Sequence, residues 1–160
     1  MNPTPEKTSV MAPFILMLFL YFIVGLFTVI NQQFQVPLKS ALLPHDGNMT
    51  NALVTLLNFS WFLAYPFSEG FATRWVDRLG YRKTSVYSLL IFIAGLGFYE
   101  AAVLLHIYAP SYITIMGNPI FTGFFVFLSG SFVIGMAVTI LQVVTGLYLD
   151  VNPVGKTTPL

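Results

Sequence analysis

The sequence predicts an all-α membrane protein with four transmembrane helices, and three observations carry that prediction. Hydrophobic residues make up 56% of the 160-residue chain and charged residues 8%, with a mean hydropathy of +0.79. That is more apolar surface than a soluble domain of this size can hide. The apolar residues come in unbroken runs of about 20, enough for a helix to cross a hydrocarbon core of about 30 Å, and not in the alternation of a barrel strand. The few charges fall in short segments between those runs, where water or headgroups can solvate them. The same features exclude other classes. Basic residues form no extended patch, so nucleic-acid binding is not expected, and the absence of cysteine removes disulfides, thiol catalysis and thiolate metal sites. No catalytic triad, carboxylate pair, metal-ligand spacing or phosphate-binding glycine loop appears, so neither an enzyme nor a bound cofactor is expected.

Residues 1–10, with Pro3, Pro5, Glu6 and Lys7, lack an apolar period and read as a tail. The first span covers 11–34; its apolar run is too long for a signal peptide and no small-residue cleavage site follows it. Gly25, Thr28, Gln32 and Gln35 fall along one stripe of that helix. Asn31 and Gln32 either reach headgroups at a helix end or line a cavity. Pro37 is expected to stop the helix, and 38–49, with Lys39, Pro44, His45, Asp46 and Gly47, reads as a loop.

The second span, 52–71, places Thr55, Asn58, Phe62, Tyr65 and Glu69 on one face, and Pro66 predicts a kink. Segment 77–83 follows as a tight charged loop at a membrane face, with Gly80 supplying a positive φ. The third span, 86–105, contains Glu100. At a rise of 1.5 Å per residue, Glu100 lies about 25 Å from Lys83, near the opposite face, where a carboxylate can reach water. His106 reads as a headgroup-level residue and 107–119, with Pro110, Gly117, Asn118 and Pro119, as a loop. The fourth span, 120–148, carries a stripe of Ser131, Gly135, Thr139, Gln142 and Gly146. Packing explains Ser131 and Gly135, whereas a long amide such as Gln142 calls for a hydrogen-bonding role. Lys7, Arg74, Arg78, Arg82, Lys83 and Lys156 fall on one side and Lys39 alone on the other, so the 77–83 loop and both termini are expected to be cytoplasmic.

The pattern Asp77-Arg78-x-Gly80-x-Arg82-Lys83 resembles the loop between the second and third spans of major facilitator superfamily transporters. Two further segments look like the fucose-galactose-hexose:proton symporter (glucose/galactose transporter) branch: Gly25-x-x-Thr28-x-x-Asn31-Gln32 with Leu38-Lys39, and Gly135 through Leu141-Gln142-Val143-Val144 to Tyr148. The resemblance implies part of an N-terminal transporter half in a bacterial cytoplasmic membrane. It further implies carriage of a hexose or fucose-like sugar by alternating access, coupled to a proton or another ion. On that basis Asn31, Gln32, Asn58 and Gln142 are candidates to contact sugar, and Glu100 and Glu69 are candidates for coupling. Asp77, Arg78, Gly80, Arg82 and Lys83 would then form the structural loop, with Asp77 holding it against the other half of the transporter. The sequence departs from the branch at Gln32, where its relatives have Asp; at Gly146 and Leu147, where they have Asn-Pro; and at Thr73, where they have Gly. Membrane lipids and a missing C-terminal half are the implied partners, because the family has two six-span halves. The alternative is a small four-span scaffold that oligomerises through its glycine stripe without transporting anything.

Overall fold

The computed structural model describes residues 11–33, 35–43, 48–115 and 117–151. The expectations for Lys7, Pro44, His45, Asp46, Gly47 and Lys156 lie outside them. The elements are α1 (Met11–Gln33), α2 (Gln35–Leu42), α3 (Asn48–Tyr108), β1 (Tyr112–Ile115), β2 (Asn118–Phe121) and α4 (Thr122–Val151). Three of these, α1, α3 and α4, are long and apolar enough to cross a membrane.

The 61 residues of α3 do not form a rod. Ser60 Oγ donates to the carbonyl of Leu128 at 2.9 Å, and Tyr99 shares a 2.9 Å hydrogen bond with Ser131. On a straight helix Ser60 and Tyr99 would stand about 58 Å apart. They reach neighbouring turns of α4 because α3 doubles back at Gly80, the one residue in it outside helical geometry, with φ 77 and ψ 167. That backbone region is essentially reserved for glycine. No other atom lies within 4 Å of the place a Cβ would occupy, so the constraint is purely conformational. Gly80→Ala is expected to cost about 1–3 kcal/mol, seen as a lower unfolding midpoint in detergent micelles. An unchanged midpoint would mean that the turn tolerates a side chain.

The two limbs of α3, 48–79 and 81–108, flank α4 in opposite directions. Leu53 and Leu57 cluster with Phe124, and Ala72 and Val76 with Ile140 and Val144, so the first limb runs parallel to α4. Tyr99 stacks on Phe127 with ring centroids 4.0 Å apart, while Tyr81 meets Tyr148 at 5.4 Å, so the second limb runs antiparallel. Helix α1 lies antiparallel to α4, with Val24 set among Trp61, Ile134, Val138 and Leu141. Met11, Gly80 and Val151 therefore share one end of the bundle; α2 and the strands occupy the other. Helix α4 is the hub. Gly135 lets the first limb approach so closely that an added Cβ would stand 2.6 Å from the Trp61 carbonyl oxygen. Helix α1 buries only Met17 and Val24, and presents Phe19, Phe22, Leu26 and Val29 outward, a face suited to lipid or to another apolar helix.

Several local expectations are corrected. Segment 77–83 is helical on both sides of Gly80, so the turn is a single residue and not a loop. Pro37 does not end a helix but sits in the first turn of α2, where backbone N–H groups have no intrahelical partner in any case. The expected loop at 38–49 is therefore helical to Leu42 and again from Asn48. The stretch read as a loop at 107–119 includes the end of α3 and an antiparallel hairpin that pairs Tyr112 with Phe121 and Ile115 with Asn118. Gly117 turns that hairpin at φ 82. The fourth helix consequently starts at Thr122, with Ile120 and Phe121 spent on the strand.

Candidate functional site

Among the described residues, a recess opens on each side of a mid-length apolar cluster. The first, a groove of about 270 Å³, is lined by Tyr21 of α1, Tyr65 and Glu69 of the first limb of α3, and Thr139 and Gln142 of α4. Tyr65 and Glu69 share a face because they are four residues apart. Thr139 and Gln142 are brought opposite them by the parallel packing of that limb on α4. Gly146 completes the wall and adds no side chain. Counting helical rise from the Gly80 end, Tyr21, Glu69 and Gln142 all lie about 15 Å in, so three helices present them at one level. The Thr139 hydroxyl is turned inward, donating to the Gly135 carbonyl at 2.8 Å. The polar chemistry of the groove is thus left to the Gln142 amide, the exposed Glu69 carboxylate and the two tyrosines.

The second recess, about 330 Å³, is almost wholly apolar, with Phe27, Trp61, Phe92, Leu96 and Phe127 among its walls and Asn31 at its edge. Between the recesses stands the cluster of Val24, Trp61, Ile134, Val138 and Leu141. Tyr65 packs on it from the groove side, and Phe92 and Tyr99 from the other.

The candidate residues divide between these places. Gln142 and Glu69 meet in the groove. Asn31 belongs to the apolar recess, while Gln32 is exposed. Asn58 is half-buried on the first limb, and its Oδ1 has no hydrogen-bond partner. Glu100 is exposed on the second limb, far from the Gly80 end. Asp77, Arg78, Arg82 and Lys83 are exposed around Gly80. On α1, Gly25 has open space around it, and the half-buried Thr28 returns its hydroxyl to the Val24 carbonyl at 3.0 Å. Ser131 and Gly135 are packing residues, one bonded to Tyr99 and the other against Trp61. Sequence reasoning passed over Tyr21 and Trp61 because each sits in an apolar run where an aromatic residue needs no explanation.

Compared with protein-family models, curated proteins and solved structures, the chain has no match. What it does is therefore read from its own residues.

Proposed function

We propose that the chain is part of a secondary carrier for a hexose or fucose-like sugar, and that the Tyr21, Tyr65, Glu69 and Gln142 groove is its contribution to the substrate path. The observation that carries this reading is the convergence of two tyrosines, an amide and a carboxylate from three helices. A sugar has an apolar C–H face and a rim of hydroxyls. Tyrosine rings suit the first, and a group that both donates and accepts, such as Gln142, suits the second. The groove opens on the surface of the bundle, so a further helical unit would close it and rock against it in alternating access. In this reading α1, the two limbs of α3 and α4 make four membrane crossings. Arg74, Arg78, Arg82 and Lys83 put the Gly80 end in the cytoplasm.

Coupling falls to Glu69. A proton-driven carrier needs a titrating group within reach of its substrate; Glu69 lines the groove, whereas Glu100 and the neutral Gln32 do not. Saturable hexose binding is expected for the chain in lipid nanodiscs. Glu69→Gln, which changes a groove residue, should weaken that binding, and Glu100→Gln, which lies outside the groove, should leave it unchanged. Failure to bind any hexose overturns the reading; an affinity unmoved by Glu69→Gln removes that carboxylate from the site and moves coupling elsewhere. Orientation is tested separately, and the lack of native cysteine makes the labelling clean. Ser40→Cys should react with an impermeant thiol reagent in intact cells, and Lys83→Cys only after permeabilisation. Both sites are exposed, unlike the neighbouring Thr84. The opposite labelling pattern would invert the topology.

A further inference from the structure

Charge is distributed unevenly between the two ends of the bundle. Among the described residues the Gly80 end carries Arg74, Arg78, Arg82 and Lys83, all exposed, and the opposite end carries Lys39 as its one lysine or arginine. The carboxylates at the Gly80 end are Asp77 and Asp150, and none of the four cations is ion-paired to either. That end is left with an excess of positive charge.

The excess lies on the outer surface. Arg74 and Arg78 stand two residues on either side of the buried Val76, and Arg82 two residues before the buried Thr84. At about 100° per residue, all three lie about 160° around the helix from a buried position. Each arginine stripe continues into apolar residues. On the first limb of α3, Phe67, Phe71, Arg74 and Arg78 fall at i, i+4, i+7 and i+11; on the second, Arg82, Val86, Leu89 and Ile93 do the same, and all are exposed. Both limbs thus show a cationic end followed by an apolar stretch, the order in which a phospholipid presents phosphate and acyl chain. Trp75 of the first limb meets Tyr87 of the second edge-on, with ring centroids 6.1 Å apart. Counted from Gly80, the cations lie about 3–9 Å in and the two rings about 8–10 Å in. The headgroup layer of a bilayer is about 5–8 Å deep on each side. The cations therefore sit through that layer and the rings at its inner boundary, where tryptophan and tyrosine concentrate.

We propose that the Gly80 end docks the phosphate headgroups of anionic membrane lipids, held by Arg74 and Arg78 on one limb and by Arg82 and Lys83 on the other, with Trp75 and Tyr87 at the glycerol level. The excess charge selects an anionic lipid over a zwitterionic one, whose ammonium group the same cations repel. The apolar stripes that continue from the arginines select a lipid over a soluble phosphate. None of these residues lines the sugar groove, so the surface stands whether or not the groove takes a hexose.

Trp61 and Trp75 are the only tryptophans, so Trp61→Phe leaves Trp75 as a single fluorophore at this surface. The full chain is placed in phosphatidylcholine vesicles containing phosphatidylglycerol, with one lipid or the other brominated high on its acyl chains. At equal mole fraction, brominated phosphatidylglycerol is expected to quench Trp75 more strongly than brominated phosphatidylcholine. Arg78→Gln and Arg82→Gln should each lower that preference by up to about five-fold, one cation's share near an anionic surface. Asp77→Asn should raise it, and salt at about 1 M, where the screening length is about 3 Å, should reduce it. Native mass spectrometry of the parent chain, counting retained phosphatidylglycerol against phosphatidylcholine, tests the same preference if the Trp61 variant folds poorly. Three results would each overturn the proposal: equal association of the two lipids, a preference unmoved when Arg78→Gln and Arg82→Gln are combined, or quenching by phosphatidylglycerol that soluble glycerol phosphate relieves. The last would assign the cations to a soluble anion.

Discussion

Trp61→Ala is expected to lower the unfolding free energy by about 3–5 kcal/mol, at the upper end of what truncating one core side chain removes. Among the described residues Trp61 is the largest fully buried side chain, and it fastens three elements at once. Its ring packs among Val24 of α1 and Ile134, Val138 and Leu141 of α4, while its own carbonyl lies against Gly135. The void left by truncation would open into the neighbouring recess, so relaxation cannot close it, and large-to-small costs are greatest where a site cannot collapse. Trp61→Phe separates packing from polarity. It keeps most of the apolar area and removes an N–H group whose burial without a partner costs about 1–3 kcal/mol. Its net cost should therefore be far smaller than that of Trp61→Ala. Unfolding in mixed micelles measures both. An alanine variant as stable as the parent would show that α1 is held elsewhere, and a phenylalanine variant as damaged as the alanine one would show that the indole has an acceptor.

Helices of membrane-crossing length were legible because apolar runs of that length have few other uses. Gly80 was legible as the turning point because only glycine takes its backbone angles cheaply. The charged residues beside it were misread. Asp77, Arg78, Arg82 and Lys83 suggested a loop, but nothing in a charge opposes helix, and here the helices simply continue to the glycine from both sides. Pro37 marks a helix start or a helix stop depending on where the first hydrogen-bonded turn falls, and the residue alone does not say which. The hairpin at 112–121 carried its signal in Ile113, Thr114 and Ile115 before Gly117, but Pro110 and Pro119 pointed more strongly to irregular loop.

The site was less legible than the fold, for a geometric reason. A stripe assigns a residue to a face of its own helix but does not say which neighbour that face meets. Asn31 and Gln32 are adjacent in sequence yet point about 100° apart around α1, so one reaches the apolar recess and the other is exposed. Gln142 and Glu69 converge only because the first limb of α3 lies parallel to α4. That arrangement is secured by the Ser60 bond to Leu128, which has no sequence signature of its own, and by the close approach at Gly135, which the small-residue stripe marks without naming the partner helix.

Gln142→Ala is expected to weaken sugar binding by roughly five-fold to over a hundred-fold, from the loss of about 1–3 kcal/mol when a bound hydroxyl keeps no partner. The groove supplies internal controls. Thr139 already spends its hydroxyl on the Gly135 carbonyl, so Thr139→Val should leave hexose affinity nearly unchanged although the residue lines the same wall. Gln32→Ala should also have little effect, because that amide is exposed on α1 and is not among the groove residues. Dissociation constants for a labelled hexose in nanodiscs decide between the roles. A selective loss at Gln142 makes the amide a sugar ligand. A constant unmoved by Gln142→Ala reduces it to packing and removes the groove's one amide from the recognition of hydroxyls. Equal losses at Gln142, Thr139 and Gln32 would trace the effect to the fold of the bundle and not to contact with sugar.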